Sequence, residues 1–224
     1  MKKIIIAIDG PAASGKSSTA KRVAQALGYI HADTGAMYRA VALKALRLGI
    51  APGDTGSIEA MTKTTSVGLE PADREQLRVM LDGEDVTEAI RMPEVTRSVS
   101  EVSAIPAVRE LMVKEQRAMG ALGGIVLDGR DIGTVVFPHA DLKIFMIADP
   151  HERAQRRAKE LEEKGIHADV ELLEKEIRER DRYDSSRTHS PLKKADDAIV
   201  LDTTNLTIEE QTAFIVCRAK EYSA

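Results

Sequence analysis

The sequence holds one cysteine, no apolar run long enough to cross a membrane, no excess of positive charge, no internal repeat and no low-complexity tract. Each absence removes a class of protein. A single thiol, Cys217, excludes an internal disulfide and a cysteine-rich metal site; its expected role is that of a small buried apolar group. No segment approaches the about 18 apolar residues of a spanning helix. The apolar run Lys3–Ile8 is too short for a secretory signal core and ends in Asp9-Gly10. A cytoplasmic location is therefore expected, with no membrane partner. With 32 Lys and Arg against 36 Asp and Glu the net charge is −4. The surface as a whole is then no footprint for nucleic acid, and any anion site must be built from local basic clusters. A chain of 224 residues suits one well-cored domain with inserted lobes.

What is present is an alternation of short apolar strands and helices. Strand-like runs are Lys3–Ile8, Tyr29–Ala32, Ile125–Asp128, Leu142–Ile147 and Ala198–Asp202. Helix-like runs are Ser18–Leu27, closed by Gly28, then Gly35–Leu48, closed by Gly49, and a terminal helix from about Thr207. Fully apolar strands separated by helices predict an α/β fold, a parallel sheet covered by helices on both faces. The ligand site is then expected at the carboxyl ends of the strands. Between Pro52 and Pro93 the rhythm changes. Ser66–Glu70, Leu77–Leu81 and Asp85–Thr87 read as three short strands with turns at Pro71-Ala72-Asp73 and Asp82-Gly83, a small antiparallel lobe inserted in the core. From Glu152 to Asp184 the chain is dense in charge, with Glu152/Arg156, Glu160/Lys164, Glu174/Arg178 and Glu176/Arg180 at i,i+4 spacing, as in two solvated helices broken at Gly165.

The most informative segment is Gly10-Pro11-Ala12-Ala13-Ser14-Gly15-Lys16-Ser17, followed by Ser18. It fits G-x-x-x-x-G-K-[ST] and lies between a strand and a helix, where a phosphate-binding loop must lie. Glycines let the backbone bend around phosphate oxygens, and the helix N-terminus adds partial positive charge. Lys16 can reach the β and γ phosphates, and the Ser17 hydroxyl can hold Mg²⁺. Asp128, at the end of an apolar strand, resembles the aspartate that orients the Mg²⁺ shell in such proteins. Gly129 follows it, where many ATP hydrolases place a water-orienting Glu. Arg130 and Asp131 point onward into the cleft, unless the segment is only a tight turn with a surface ion pair.

Three further clusters carry charge where packing alone does not ask for it. Asp33-Thr34 opens a helix and suits an N-cap, but Arg39 one turn in is a cation at the wrong end of the helix dipole. An anion bound there would resolve the conflict. On the later helix, the inward stripe Val170, Leu173, Ile177 continues at helical spacing into Arg180, Asp181, Asp184 and Arg187. Buried unpaired charge is costly, so this end should face a polar cavity or a charged ligand, or emerge into solvent. Arg153, Arg156 and Arg157 share a helix face, either as a phosphate clamp or as a solvated basic surface.

These residues together resemble the bacterial cytidylate kinases of the nucleoside monophosphate kinase family. The resemblance rests on Gly10–Ser18, on His31–Arg39, on Asp128-Gly129-Arg130-Asp131-Ile132-Gly133-Thr134-Val135-Val136-Phe137-Pro138, and on Arg180-Asp181 with Asp184 and Arg187. It implies transfer of the γ-phosphoryl group of ATP to CMP or dCMP with Mg²⁺ held at Ser17 and Asp128. It implies Gly10–Ser18 at the ATP phosphates, and Lys16, Asp128, Arg130, Arg153 and Arg157 in catalysis. Ser100, Arg109 and Asp131 would meet the cytosine; Thr34, Arg39, Arg130 and Arg187 the acceptor phosphate; Arg180 and Asp184 the ribose. Residues 1–34, 94–152 and 185–224 would form the phosphate-loop core, 35–93 the acceptor-binding region with its β lobe, and 153–184 a helical lid with the following helix. ATP and CMP or dCMP would be its only partners, and a monomer is expected. Ala13 stands where a second loop glycine is common, and Thr34 where some relatives have Ser. Kinases of other small acceptors, such as shikimate or dephospho-coenzyme A, share the loop. Nucleotide-driven switches are disfavoured by the lack of an Asn-Lys-x-Asp motif, of a Ser-Gly-Gly run and of a Glu after Asp128.

Overall fold

The structure, a computed structural model, describes residues 2–71, 77–163 and 165–222. They form two compact units, one of residues 1–30 and 123–224, the other of residues 31–122. The sequence reading draws its boundaries at 34, 93, 152 and 184 instead. Here the helices assigned to a lid belong to the first unit, and the second extends well past the β lobe.

In the first unit, β1 (Ile5–Asp9) leads through the glycine-rich loop into α1 (Lys16–Leu27). Helix α1 ends at Gly28 in the left-handed region (φ 66), and the Tyr29 N–H closes on the Ala24 carbonyl at 2.8 Å. Only a residue without Cβ adopts that turn freely. Strand β2 (Ile30–Asp33) begins here, its Ile30 N–H donating to the Gly124 carbonyl.

The second unit opens with α2 (Thr34–Arg47), followed by α3 (Thr55–Thr62). Strands β3 (Val67–Pro71), β4 (Leu77–Leu81) and β5 (Glu84–Asp85) form the small sheet, β3 and β4 antiparallel with Val67 opposite Leu81. Asp82 and Gly83 both have positive φ (50 and 85), the two-residue hairpin turn that matches strand twist. The other turn expected of this lobe, at 71–73, lies largely outside the described residues. Helices α4 (Pro93–Val102) and α5 (Pro106–Gly120) complete the unit. Each starts with proline at its first turn, where the missing N–H is not needed. Val95, Val99 and Val102, then Val108 and Met112, repeat at helical spacing and join Met37, Val41 and Ile58 in one core.

The chain then returns to the first unit with β6 (Ile125–Gly129), β7 (Leu142–Ile147), α6 (Pro150–Glu162), α7 (Val170–Ser186), β8 (Ile199–Asp202) and α8 (Ile208–Tyr222). The sheet order is β2-β6-β1-β7-β8. Strand β1 lies between β6 and β7, parallel to both, with Asp9 opposite Gly129 on one side and Phe145 on the other. Ile6, Ile8, Val126, Leu142 and Ile144 pack with Val23 of α1 and Ile215 of α8. Full burial of each such side chain contributes roughly 1.5–3 kcal/mol. Because β1 is central, its carboxyl end opens beside those of β6 and β7, and every loop leaving them starts at one place.

Cys217 is exposed, which corrects the expectation of a buried group. The inward face of α8 is Gln211, Ile215 and Ala219, four residues apart, and position 217 falls on the opposite side. Among the described residues no helix is long and apolar enough to cross a membrane.

Candidate active site

The phosphate-loop segment is held from behind by its own carbonyls. Gly10 must be glycine, because a Cβ there would lie 2.2 Å from the Met146 carbonyl oxygen. Ala13 takes the left-handed conformation (φ 57), and Gly15 (φ 89) opens α1. The Pro11 carbonyl accepts from the Lys16 ammonium at 2.5 Å and from the Ser14 hydroxyl at 3.1 Å. The Ala12 carbonyl accepts from Arg153 at 3.1 Å, and the Ser14 carbonyl from the Thr203 hydroxyl at 3.0 Å. In a trans peptide the following N–H points opposite to the carbonyl. Tying these three carbonyls back therefore turns the N–H groups of Ala12, Ala13 and Gly15 the other way, as an anion cradle requires. Thr19 and Gln211, both buried, join α1 to α8 through a 2.7 Å hydrogen bond. Ser18 is exposed on the first turn of α1.

The Ser17 hydroxyl donates to Asp128 Oδ2 at 2.5 Å, so the two residues expected to share a metal are adjacent. A hydroxyl and a carboxylate are hard oxygen donors that suit Mg²⁺. Among the described residues no three His, Cys, Asp or Glu side chains gather into a metal cage. Lys16 is 5% exposed. Burial, with Arg130 and Arg180 nearby, pulls its ammonium down to about 7 against the opposing pull of Asp128 and Asp9. Anionic phosphates are what would restore its charge.

Arg130, Arg153 and Arg187 are paired with carboxylates of α7. Asp184, 2% exposed, accepts from Arg130 Nε at 3.0 Å through one oxygen and pairs with Arg187 at 2.7 Å through the other. Arg187 lies over the Tyr183 ring, 5.2 Å from its centre. Arg153 pairs with Asp181 at 2.7 Å and also donates to the Ala148 carbonyl. The stripe on α7 thus behaves as its spacing indicates: Ile177 is buried, Arg180 and Asp181 are half-buried, and Asp184 is buried. The three arginines of α6 do not act together. Arg153 is buried against the loop, Arg156 donates to the carbonyls of Thr203 and Thr204, and Arg157 is partly exposed beside Glu160. Their spacing puts them near one face, but Arg153 meets Asp181 of α7, Arg156 the loop that follows β8, and Arg157 Glu160 of its own helix. Of the i,i+4 pairs, Glu152–Arg156 and Glu174–Arg178 form. Lys164 lies outside the described residues.

In the second unit, Asp33 caps α2, accepting from the Ala36 N–H at 2.9 Å, while its other oxygen pairs with Arg39 at 3.1 Å. The cation at the wrong end of the dipole is thus compensated by the cap itself. Thr34, the first residue of α2, is buried. Arg109, 5% exposed, lies over the Tyr38 ring at 5.1 Å and donates to the Ser103 carbonyl. The Ser103 hydroxyl donates to the Ser100 carbonyl, so Ser100 and Arg109 meet through a residue that the sequence reading missed. Asp131, buried, lies in the first unit. Asp9, Thr203 and Gln211 were also missed. Their partners are far off in sequence, and no local spacing marks them.

The family model described as cytidylate kinase matches residues 6–221. The chain is 52% identical over 220 residues to the cytidylate kinase of Anoxybacillus flavithermus, covering 98% of this chain and 97% of that one. It is 54% identical over 216 residues to the cytidylate kinase of Chlorobaculum tepidum, covering 94% and 90%. A crystal structure of an uncharacterized protein from Eubacterium ventriosum aligns over 98% of this chain and 99% of its own, with a TM-score of 0.50 at 12% identity, a likeness of fold alone. The sequence matches run through the phosphate loop, both arginine-rich segments and the β lobe, and by them the chain belongs to the cytidylate kinase family.

Proposed function

We propose that the chain transfers the γ-phosphoryl group of ATP to the 5′-phosphate of CMP or dCMP, giving ADP and CDP or dCDP. The observation that carries the chemical half of this reading is the Ser17–Asp128 contact beneath the loop that holds Lys16. The family match carries the acceptor half. Gly10 to Ser18 would hold the ATP phosphates. Ser17 and Asp128 would hold Mg²⁺, which when bound neutralises phosphate charge. No general base is required, because a phosphate monoester has its second pKa at about 6 and the acceptor oxygen is already an anion at neutral pH. The work left to the protein is positioning and charge neutralisation. Lys16 serves the donor phosphates, with Arg153 holding the loop and Arg157 reaching the transferring group. Arg130, Arg187, Arg39 and Thr34 serve the acceptor phosphate, and Arg180 and Asp184 the ribose. Residues 153–169 would form the lid that excludes water, a competing acceptor. Residues 35–93 would belong to the acceptor-binding region.

Ser100, Arg109 and Asp131 would read the base. Cytosine offers an N4 amino donor beside the N3 and O2 acceptors, which suits a carboxylate and a guanidinium. Uracil sets a carbonyl against the carboxylate and leaves both unsatisfied. The test is an ADP-release assay over the nucleoside monophosphates. CMP and dCMP should exceed UMP in kcat/KM, and Asp131→Ala should narrow that gap by lowering CMP activity. An unchanged ratio removes Asp131 from the base site. Preference for an acceptor outside the pyrimidine nucleotides overturns the substrate.

A further inference from the structure

Thr203, the residue after β8, enters none of these steps, yet it is fully buried and closely held. Its N–H donates to the Ile147 carbonyl at 2.8 Å, and its own carbonyl accepts from Arg156 Nη2 at 2.6 Å. The end of β7 thus fixes it from one side and α6 from the other. Its hydroxyl lies 3.0 Å from the Ser14 carbonyl oxygen and 3.1 Å from that of Ile147, while Arg156 Nη1 donates to the hydroxyl oxygen at 3.4 Å. A hydroxyl has one proton to give. The Ile147 carbonyl already accepts from the Thr203 N–H, so the proton belongs to Ser14.

The peptide that receives it is the one most able to turn over. Gly15 stands at φ 89, and a Cβ there would meet Gln211 Oε1 at 3.1 Å, so position 15 must be glycine on two counts. That freedom cuts both ways. Glycine takes positive and negative φ about equally, so the Ser14–Gly15 peptide can rotate with φ of Gly15 changing sign at little backbone cost. Rotated, it would set the Ser14 carbonyl toward the phosphates and the Gly15 N–H away from them. The next peptide lacks this choice, because the Gly15 carbonyl accepts from the Thr19 N–H at 3.0 Å and is built into α1. We infer that Thr203 is a positioning residue for the donor nucleotide: its hydroxyl, held by Arg156 and the end of β7, keeps the Ser14–Gly15 peptide turned with its N–H toward the ATP phosphates. The inference rests on the reading of Gly10–Ser18 as the ATP-phosphate loop. It also gives Arg156 a task, the clamping of the turn that carries Thr203.

Thr203→Val keeps the branched shape and removes the proton. The expected result is a rise of about tenfold in KM for ATP and a like loss of ADP affinity in calorimetry, with KM for CMP within about threefold of wild type. Thr203→Ser restores the proton and should bring KM for ATP back to within about threefold of wild type. In the nucleotide-free protein the Gly15 amide should give one NMR resonance in the wild type and a doubled or broadened one in Thr203→Val. A role confined to stability would lower the melting temperature of Thr203→Val and leave KM for ATP and the Gly15 resonance unchanged, and that result overturns the inference. So does a Thr203→Ser enzyme no better than Thr203→Val. If Thr203→Val does not fold, Thr203→Ala decides by the same two readouts, and an unmoved KM for ATP refutes the role. Should Lys16→Ala keep wild-type turnover, the underlying reading of the loop has failed, a result distinct from any of these.

Discussion

Replacing Asp184 with asparagine should destabilise the first unit by about 2–4 kcal/mol. The carboxylate is 3% exposed in its side chain and stands between Arg130 at 3.0 Å and Arg187 at 2.7 Å. An amide of the same shape offers one oxygen and one NH₂. One guanidinium keeps a weakened acceptor and the other faces a donor. Each charge-assisted hydrogen bond contributes about 1.5–3 kcal/mol, and removing one partner of a buried pair costs about 3–5 kcal/mol. Arg130 is 21% exposed and recovers part of its loss from water, which sets the lower range. Taking a urea dependence of roughly 3 kcal/mol per M, the midpoint should fall by about 1 M. Inorganic phosphate supplies a second argument. With the internal anion removed, two cations are left for an external one, so added phosphate should raise the midpoint of Asp184→Asn more than that of the wild type. A midpoint shift below about 0.3 M, or equal phosphate effects on both proteins, would refute the view that Asp184 is the counter-ion holding this pair.

Lys16→Ala should abolish phosphoryl transfer while circular dichroism stays unchanged, since loss of the ammonium removes several kcal/mol of charge stabilisation; near-normal turnover would sink the loop assignment. Gln211→Leu should cost about 2–4 kcal/mol in urea unfolding, because it leaves the Thr19 hydroxyl and the Leu206 carbonyl without the bonds they make at 2.7 and 2.8 Å. A loss under about 1 kcal/mol would mean that water replaces it. The folded Asp9 carboxyl, raised from 3.8 to about 7, holds a proton that the unfolded chain releases. Its contribution to stability is therefore full below about pH 4 and is lost as pH rises to about 7. The stability difference between wild type and Asp9→Asn should decline across that window in unfolding at pH 5, 6 and 7.5, and parallel curves would exclude the shift.

Local pattern sufficed for much of the architecture. The Ile-rich run before Gly10 and the Lys16–Leu27 helix after it follow from β-branched residues, a helix start and a glycine stop. The Asp82-Gly83 hairpin and the inward stripe of α7 follow in the same way, because turn chemistry and helical period act over a few residues. Helices α4 and α5 carry local marks too, each a proline at its start, with Val95, Val99 and Val102 at helical spacing in the first and Val108 and Met112 in the second, though neither helix is among the expected elements. Tertiary structure alone decided what touches what at the site. Ser17 meets Asp128 across 111 residues, Thr203 holds Ser14 across 189, and Asp9 caps a turn 123 residues away. These contacts exist because β1 lies between β6 and β7 in a set register, and strand order is a property of the packed sheet that no local period encodes. Position 217 shows the converse: a cysteine suits a core, but the face that α8 buries is set by what packs against it.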